Sequence, residues 1–294
     1  MGQKHLISIV IIGYNTKNEL LELLLSINKI TNQSIEIVYV DDGSQDRSYD
    51  LFKNFKTQHM KNGKRLIKNK GRSYATQHAI DMANGAWLFF VRSNEVLFLD
   101  TLDQYMHMSK SYTALAFAGS VQYCGKEKRL EQYLNGSQHG IKKYQMGNLV
   151  NFKHLLFNNS FIHCSVFKKI KLNSALVKYG GEELDFSYRF NSLYPRQIRA
   201  CPQAKVLRKN YPSLKVHCSR LFEFGHYNLR SLNPALQKEV VKLPFLLYFN
   251  LNFLITPAYV LLFFLYKINF ITNSFYIIKS IMLCAILRGY YKGS

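Results

Sequence analysis

Ile35-Glu36-Ile37-Val38-Tyr39-Val40-Asp41-Asp42-Gly43-Ser44 is the stretch on which the reading of the fold turns. Residues 35–40 read as a strand buried on both faces. The strand stops abruptly at two aspartates, a glycine and a serine, all turn formers. Upstream, residues 6–12 form a second β-branched run, closing at Gly13-Tyr14-Asn15. Between the two runs, Leu20, Leu21, Leu23, Leu24 and Ile27 recur at helical spacing, which predicts a helix over 18–27 with Asn15 or Thr16 as its N-cap. Downstream, the pattern predicts a helix over 48–55, a short strand over 65–67, a helix over 73–83 ended by Asn84-Gly85, and a strand over 86–91. Alternation at this spacing implies right-handed βαβ units. The expected fold class is therefore α/β, a doubly wound, mostly parallel sheet flanked by helices.

In an open α/β sheet, ligands bind beyond the carboxyl ends of the strands. Two such ends stand here, Tyr14-Asn15 and Asp41-Asp42. The aspartates can accept hydrogen bonds from a base or a ribose, and Tyr14 can stack on the base. In the competing reading the aspartates only cap the turn and helix that follow. The preceding Tyr14-Asn15 segment favours a nucleotide site.

The chain has 294 residues with 39 Lys+Arg against 18 Asp+Glu, a formal net charge of +21. With 48% hydrophobic and 14% aromatic residues it has ample material for a core, which excludes a disordered tail protein. The charge points to an anionic partner: nucleic acid, an anionic membrane surface or a phosphorylated substrate. No zinc-finger, RRM or helix-turn-helix signature occurs, so nucleic acid is not expected. Cys124, Cys164, Cys201, Cys218 and Cys284 lie far apart with no CxxC pair, which speaks against structural zinc and for a reducing compartment. Residues 1–5 run straight into the first strand without a signal-peptide layout, so the bulk of the chain is expected in the cytosol.

The charge thickens between residues 186 and 242, where eleven Lys/Arg face only Glu223 and Glu239. It then stops. Residues 243–266 carry no charge, and as one helix they would reach about 36 Å, enough for a hydrocarbon core of about 30 Å. Residues 268–287 form a second apolar run, interrupted only by Lys279. A hydrophobic helical hairpin over 236–294 is expected, transmembrane or interfacial, with Lys242, Arg288 and Lys292 on the cytoplasmic side of an anionic membrane. Pro244, Pro257, Asn250, Asn252 and Lys279 sit awkwardly in lipid. An interfacial or re-entrant hairpin therefore stays open, as do two buried core helices.

The order and spacing of these blocks resemble the family 2 glycosyltransferases, whose GT-A fold binds nucleotide-diphospho-sugars. The family opens with a β run ending in Tyr-Asn, a helix and a strand ending in VDDGS; this chain reads SIVIIGYN and IEIVYVDDGSQD. Its next block corresponds to NKGRSYATQHAIDMANGAWLFFVRSNEV, and its late acidic block to YGGEELDFSYR from Tyr179 to Arg189. The likeness covers residues 7–190. It implies a GT-A domain over 1–235, with a nucleotide-sugar half over about 1–100 and an acceptor half over about 101–235.

By that resemblance Glu183 matches the family's second acidic position, the base of an inverting transfer. Such a base takes the acceptor hydroxyl's proton as its oxygen attacks the anomeric carbon. Glu182 and Asp185 are then expected to contact the acceptor or Arg189. The alternative is an acidic first helical turn stabilised by the helix dipole. Lys70 and Arg72 resemble a segment near the nucleotide, with a solvated pair as the alternative. His163-Cys164-Ser165 resembles the stretch lining the acceptor side, with a half-buried structural histidine as the alternative. His217, Arg220 and His226 match basic positions that reach the diphosphate in relatives.

The departure lies where relatives place a DxD motif holding Mg²⁺ or Mn²⁺. Here the positions read Arg92-Ser93-Asn94, followed by Glu95. Three expectations follow. The cation is held by Asn94, Glu95 and the diphosphate; or Arg92 contacts the diphosphate directly; or activity is lost, leaving a nucleotide-sugar-binding or partner-supporting protein. The resemblance further implies a UDP-linked donor, a glycan or lipid-linked acceptor, the cytoplasmic membrane with the catalytic domain facing the cytosol, and partner membrane proteins.

Overall fold

The apolar runs at the N-terminal end form strands β1 (Ile7–Gly13) and β2 (Ile35–Asp41), paired in parallel from Ile7 opposite Ile35 to Gly13 opposite Asp41. They belong to a computed structural model that describes residues 6–176, 178–241, 244–247, 249, 251–268 and 274–293. Met1 to His5, Lys242 and Asn250, which entered the expectations above, lie outside the described residues. Each strand is apolar on both faces because both are covered. Ile7, Ile9 and Ile11 join Leu20, Leu23 and Leu24 of α1 (Lys17–Asn28) in one core, while Val10 joins Ala75 and Ala79 of α3 (Arg72–Met82) in the other. Side chains alternating with period two thus feed two cores, and only a continuous apolar run can fill both.

Two further strands complete the parallel half. β3 (Met60–Arg65) lies beside β2, and β4 (Trp87–Arg92) beside β1. The short strand expected over 65–67 instead spans Met60–Arg65, starting five residues earlier. Its polar sequence MKNGKR gives an edge strand no apolar run to read. α2 (Ser48–Asn54) packs between, and Gly63 admits Phe52, whose ring a Cβ there would meet at 2.5 Å.

Beyond β4 the expectation of a mostly parallel sheet is corrected. β7 (Ser160–His163) runs antiparallel to β4 and to β6 (Ala116–Gly125), and β8 (Ile198–Tyr211) runs parallel to β6. β5 (Glu95–Leu97) pairs antiparallel with β8, giving the order β3-β2-β1-β4-β7-β6-β8-β5. The sheet is mixed. The physical reason lies in the pairing order: β7 enters between β4 and β6 against the direction of both, and β5, which follows β4 after only Ser93-Asn94, leaves that ladder to pair with β8 at the far edge. α4 (Thr101–Ser111) and α6 (Glu182–Leu193) cover the two faces of the sheet, and α5 (Lys128–Asn135) buries Leu130 and Leu134.

In the tail the expected helices form, and the alternative of packed core helices describes α10 best. α7 (Leu214–Glu223) and the π-helical turn Phe224–Asn228 receive α10 (Ser274–Lys292) at backbone distance. A Cβ on Gly225 would meet the Ile286 carbonyl oxygen at 2.0 Å, and one on Gly289 the Phe222 carbonyl oxygen at 2.0 Å. Ile277, Ile278, Ile281 and Ala285 of α10 share a core with Leu214, Cys218, Leu130 and Leu134. Between α8 (Pro234–Val241) and α10, the uncharged run is broken. Pro244–Leu247 forms a 3₁₀ turn, and α9 spans only Asn252–Lys267, 16 residues or about 24 Å. Among the described residues, no helix is long and apolar enough to cross a membrane.

Candidate active site

The carboxyl ends of β1, β2 and β4 open on a cleft of about 660 Å³, walled on the far side by the loop Lys178 to Gly181 and the first turn of α6. Tyr14, Asp42, Arg72, Arg92, Ser93 and Asn94 line it from the first half of the chain. Glu182 and Glu183 line it from the second. Segments more than a hundred residues apart thus meet in one cavity.

Backbone geometry holds the strand ends. Asn15 takes a left-handed φ of 52°, which asparagine tolerates better than most residues. Its N–H donates to Ser44 Oγ at 2.9 Å and its Oδ1 accepts from Gln45 N at 2.9 Å. Asp41 is buried, its Oδ1 accepting from Ser44 N at 2.7 Å, and it does not line the cleft. Asn15 and Asp41, expected at the nucleotide, have their side chains engaged by backbone N–H groups of the turn and are not among the residues that line the cleft. Asp42 does reach the cleft. Its oxygens accept from Lys70 N at 2.8 Å and Gly71 N at 3.1 Å, fixing the entry to α3. Burial raises its pKa, and these two N–H groups oppose the rise. Tyr14 is 48% exposed over the cleft. Thr16 makes no capping bond with its side chain; its Oγ1 donates to Ser93 Oγ at 2.9 Å, tying β1 to the end of β4.

The second wall is a net of ion pairs. Arg92 Nη2 donates to Glu183 Oε1 at 3.1 Å and Oε2 at 3.4 Å, and Glu183 Oε1 also accepts from Phe157 N at 3.2 Å. Arg72 Nη1 donates to Glu182 Oε1 at 2.9 Å, leaving buried Oε2 of Glu182 without a partner. The guanidinium groups of Arg72 and Arg220 lie over the Tyr179 ring at 5.4 and 5.8 Å. Gly180 and Gly181, at φ of +84° and +97°, turn this loop into the cleft. Buried Asn228 ties it down, donating to the carbonyls of Lys178 at 3.0 Å and Gly180 at 2.7 Å.

The other expected positions lie apart. Asp185 and Arg189 pair with each other along α6 at 2.6 Å and do not line the cleft. His163 on β7 bonds Ser165 Oγ at 2.8 Å and meets Trp87 edge-on, also outside the cleft, which is the structural alternative. His217 bonds the Tyr211 hydroxyl at 3.2 Å, and burial pulls its pKa down to about 4. His226 lines an adjoining cavity.

At the expected cation site the donors do not suit a hard dication. Glu95 is fully buried and does not line the cleft; its Oε2 accepts from Arg92 N at 2.8 Å and its Oε1 has no partner. Burial lifts its pKa to about 7 against the pull of Arg208 and Arg92. Arg92 cannot ligate, which leaves Asn94 as a neutral oxygen. Among the described residues no group of three or more His, Cys, Asp or Glu could hold a metal. Burial acts to lower the Arg92 pKa, but Glu183 and Glu95 outweigh it and the net shift is upward, so the guanidinium stays charged. A cation is built into the chain at this point.

Arg208, Lys178, Tyr179 and Glu223 also line the cleft without having been singled out for it. Tyr179 and the residues around it stand in the late block, where a nearby cluster of Gly and acids was the available signal. Arg208 gave none. It is an ordinary residue of a long strand, and only its register opposite Glu95 brings it behind Arg92.

The family model described as "Glycosyl transferase family 2" matches residues 8–171. The curated "Glycosyltransferase GlyG" of Streptococcus pneumoniae serotype 4 is 29% identical over 174 residues, 56% of either chain. An "Uncharacterized glycosyltransferase" of Haemophilus influenzae is 26% identical over 161 residues, 53% of this chain and 59% of that one. The chain thus spans little more than half the length of these relatives. Among solved structures, S. aureus TarS 1-349 in complex with UDP-GlcNAc matches with TM-score 0.59 at 16% identity, over 79% of this chain and 70% of that chain. Mannosyltransferase PcManGT from Pyrobaculum calidifontis, in complex with GDP-Man and Mn2+, matches with TM-score 0.56 at 13% identity, over 78% and 64%. At those identities the two structures bear on the fold alone.

Proposed function

The chain belongs to glycosyl transferase family 2, and from that premise we propose that it is an inverting transferase moving a sugar from a nucleotide-diphospho-sugar to an acceptor hydroxyl. The observation that carries this reading is the meeting of Glu183 with Arg92 in the cleft that Tyr14 and Asp42 also line. We take the donor as UDP-linked, as the resemblance implies; the structure of the TarS neighbour holds UDP-GlcNAc.

The roles follow from chemistry. The base oxygen of Glu183 takes the acceptor's proton while the acceptor oxygen bonds to the anomeric carbon and the nucleoside diphosphate leaves. The Arg92 guanidinium holds the Glu183 side chain at 3.1 Å, on the wall of the cleft where the acceptor hydroxyl must come. Arg92 also faces the cleft, so it supplies fixed positive charge for the diphosphate, and Arg72, Arg220 and Lys178 add to it. Tyr14 offers a stacking face for the base and Asp42 its remaining acceptor sites. No step runs through a metal. The acceptor is a glycan or a lipid-linked sugar, and the chain works at the cytoplasmic face of the membrane, alongside partner membrane proteins. The uncharged, outward side of α9 supports a place on the membrane surface rather than across it.

Purified protein incubated with candidate donors and membrane acceptors should release nucleoside diphosphate, with inversion at the anomeric carbon of the product. Donor binding without release for any donor would instead favour a nucleotide-sugar-binding protein, the reading that Arg92 at the family's acidic position first raised.

A further inference from the structure

A second cavity, of about 500 Å³, adjoins the cleft, and Lys178 and Glu223 line both. Its walls come from α7, the π turn, α9 and the last turns of α10. Lys178, Arg288 and Lys292 line it, with Glu223 as the one carboxylate among its lining residues. None of the three cations pairs with a carboxylate among the described residues. Each lies over a ring instead: Arg288 over Tyr259 at 4.5 Å, Lys292 over Phe222 at 5.8 Å and Lys178 over Tyr227 at 5.7 Å. Nδ1 of His226, which also lines the cavity, is buried without a hydrogen-bond partner. Three cations and an unused imidazole nitrogen around one hollow raise its potential and suit a small polyanion with several acceptor oxygens.

The helix that supplies Tyr259 also carries an apolar face in the opposite sense. Phe253, Leu254, Val260, Leu261 and Phe264 recur at helical spacing on α9 and are 70%, 54%, 60%, 58% and 57% exposed. Phe245 and Phe249, just before the helix, are 52% and 63% exposed. A patch of this kind is not left to water without reason. One helix therefore separates a cationic hollow from an uncharged apolar surface, which is the layout of a headgroup region above acyl chains.

We propose that the acceptor is a membrane lipid bearing a phosphate ester. Its phosphate sits in the second cavity against Lys178, Arg288 and Lys292, and the outward face of α9 lies among the acyl chains. This rests on the transferase reading and names its substrate class. The reacting group is a hydroxyl of the sugar carried on that phosphate. Its oxygen bonds to the donor's anomeric carbon, the bond from that carbon to the diphosphate breaks with its electron pair leaving on the nucleoside diphosphate, and the hydroxyl proton passes to Glu183. Because Lys178 borders both hollows, the phosphate lies next to the cleft in which that hydroxyl must react.

The test is sedimentation with phosphatidylcholine vesicles, with and without a long-chain polyprenyl phosphate. Wild-type protein should be retained by the phosphate-bearing vesicles well beyond the plain ones. Arg288→Ala/Lys292→Ala should lower that retention about tenfold or more, as expected for two basic groups lost from an anionic surface. Arg288→Lys, which keeps the charge and most of the packing, should stay near wild type. Lys29→Ala/Lys110→Ala removes two exposed charges elsewhere and should bind as wild type does. Leu261→Asp should reduce retention on both kinds of vesicle. A soluble short-chain phosphate ester should compete no better than salt of equal ionic strength. Equal retention of the cavity variant, equal loss in the Lys29/Lys110 control, or efficient competition by the soluble ester would overturn the proposal. Donor turnover, measured separately on the wild type, reads the transferase assignment: retention with no turnover overturns that assignment and leaves the lipid site standing.

Discussion

Replacing Arg92 by methionine removes the cation that stands beside Glu183 and keeps most of the side chain's apolar stem. The two groups approach to 3.1 Å, with side chains 20% and 11% exposed. At that distance, in an effective dielectric of about 20, their attraction is about 5 kcal/mol, most of it offset by the loss of hydration. The larger effect is what the substitution leaves behind. Glu183 keeps only the Phe157 N–H, and Glu95 loses one of its two guanidinium neighbours. Breaking one side of a buried pair typically destabilises by about 3 to 5 kcal/mol, and the surviving bond places Arg92→Met near the lower end. Glu183→Gln alone strands a guanidinium that still has Glu95 beside it, and should lose less. In the double variant neither charge remains stranded, so its loss should fall short of the summed single losses by about 1 to 3 kcal/mol. Urea denaturation at neutral pH reads all three, provided the slope with denaturant is unchanged. Arg92→Met within about 0.5 kcal/mol of wild type, or strict additivity in the double variant, would refute the view that this pair is one buried electrostatic unit.

Three other outcomes are expected. Donor turnover should persist in EDTA and fall in Arg92→Lys, since a lysine cannot reproduce a guanidinium's two-pronged contact with carboxylate or phosphate; loss of turnover in EDTA, restored by added Mn²⁺, would contradict it. Gly289→Ala should destabilise by about 2 kcal/mol despite alanine's better helix propensity, because the new methyl meets the Phe222 carbonyl, and a rise in the urea midpoint would show that α10 does not dock as described. His217, held neutral by burial, has a folded pKa of about 4 against 6.5 in the unfolded chain. The unfolded chain therefore binds the extra proton between those values, and stability falls as pH drops from 6.5 towards 4, by up to about 1.4 kcal/mol per pH unit. His217→Gln should flatten that slope, and an unchanged slope would place the titration elsewhere.

Much of the first half was legible because its signals are local. The runs at residues 6–12 and 35–40 are continuous since each strand is buried on both faces, and Asp41-Asp42-Gly43-Ser44 marks a turn wherever it occurs. What stayed hidden depends on distant pairing. MKNGKR is a strand only because β2 offers it an edge. Arg208 reaches the site only because β8 pairs with β5, which sets it opposite Glu95, more than a hundred residues away. The division of labour between neighbours was equally out of reach: Asp41 and Asp42 look alike in sequence, yet one closes its own turn and the other faces the cleft. The tail left spanning, interfacial and core helices open because an uncharged run predicts burial in something apolar without saying what. Gly225 and Gly289, which let α10 lie against the domain's own backbone, carry no mark of that role in sequence.

The central claim is that Glu183 takes the acceptor's proton. It is tested most directly by the rate of nucleoside diphosphate release from donor with acceptor present, in wild type and Glu183→Gln. A positioned general base contributes about 10² to 10⁴ in rate, so the variant should fall by at least about a hundredfold in kcat. Release at the wild-type rate by a folded Glu183→Gln protein would contradict the account.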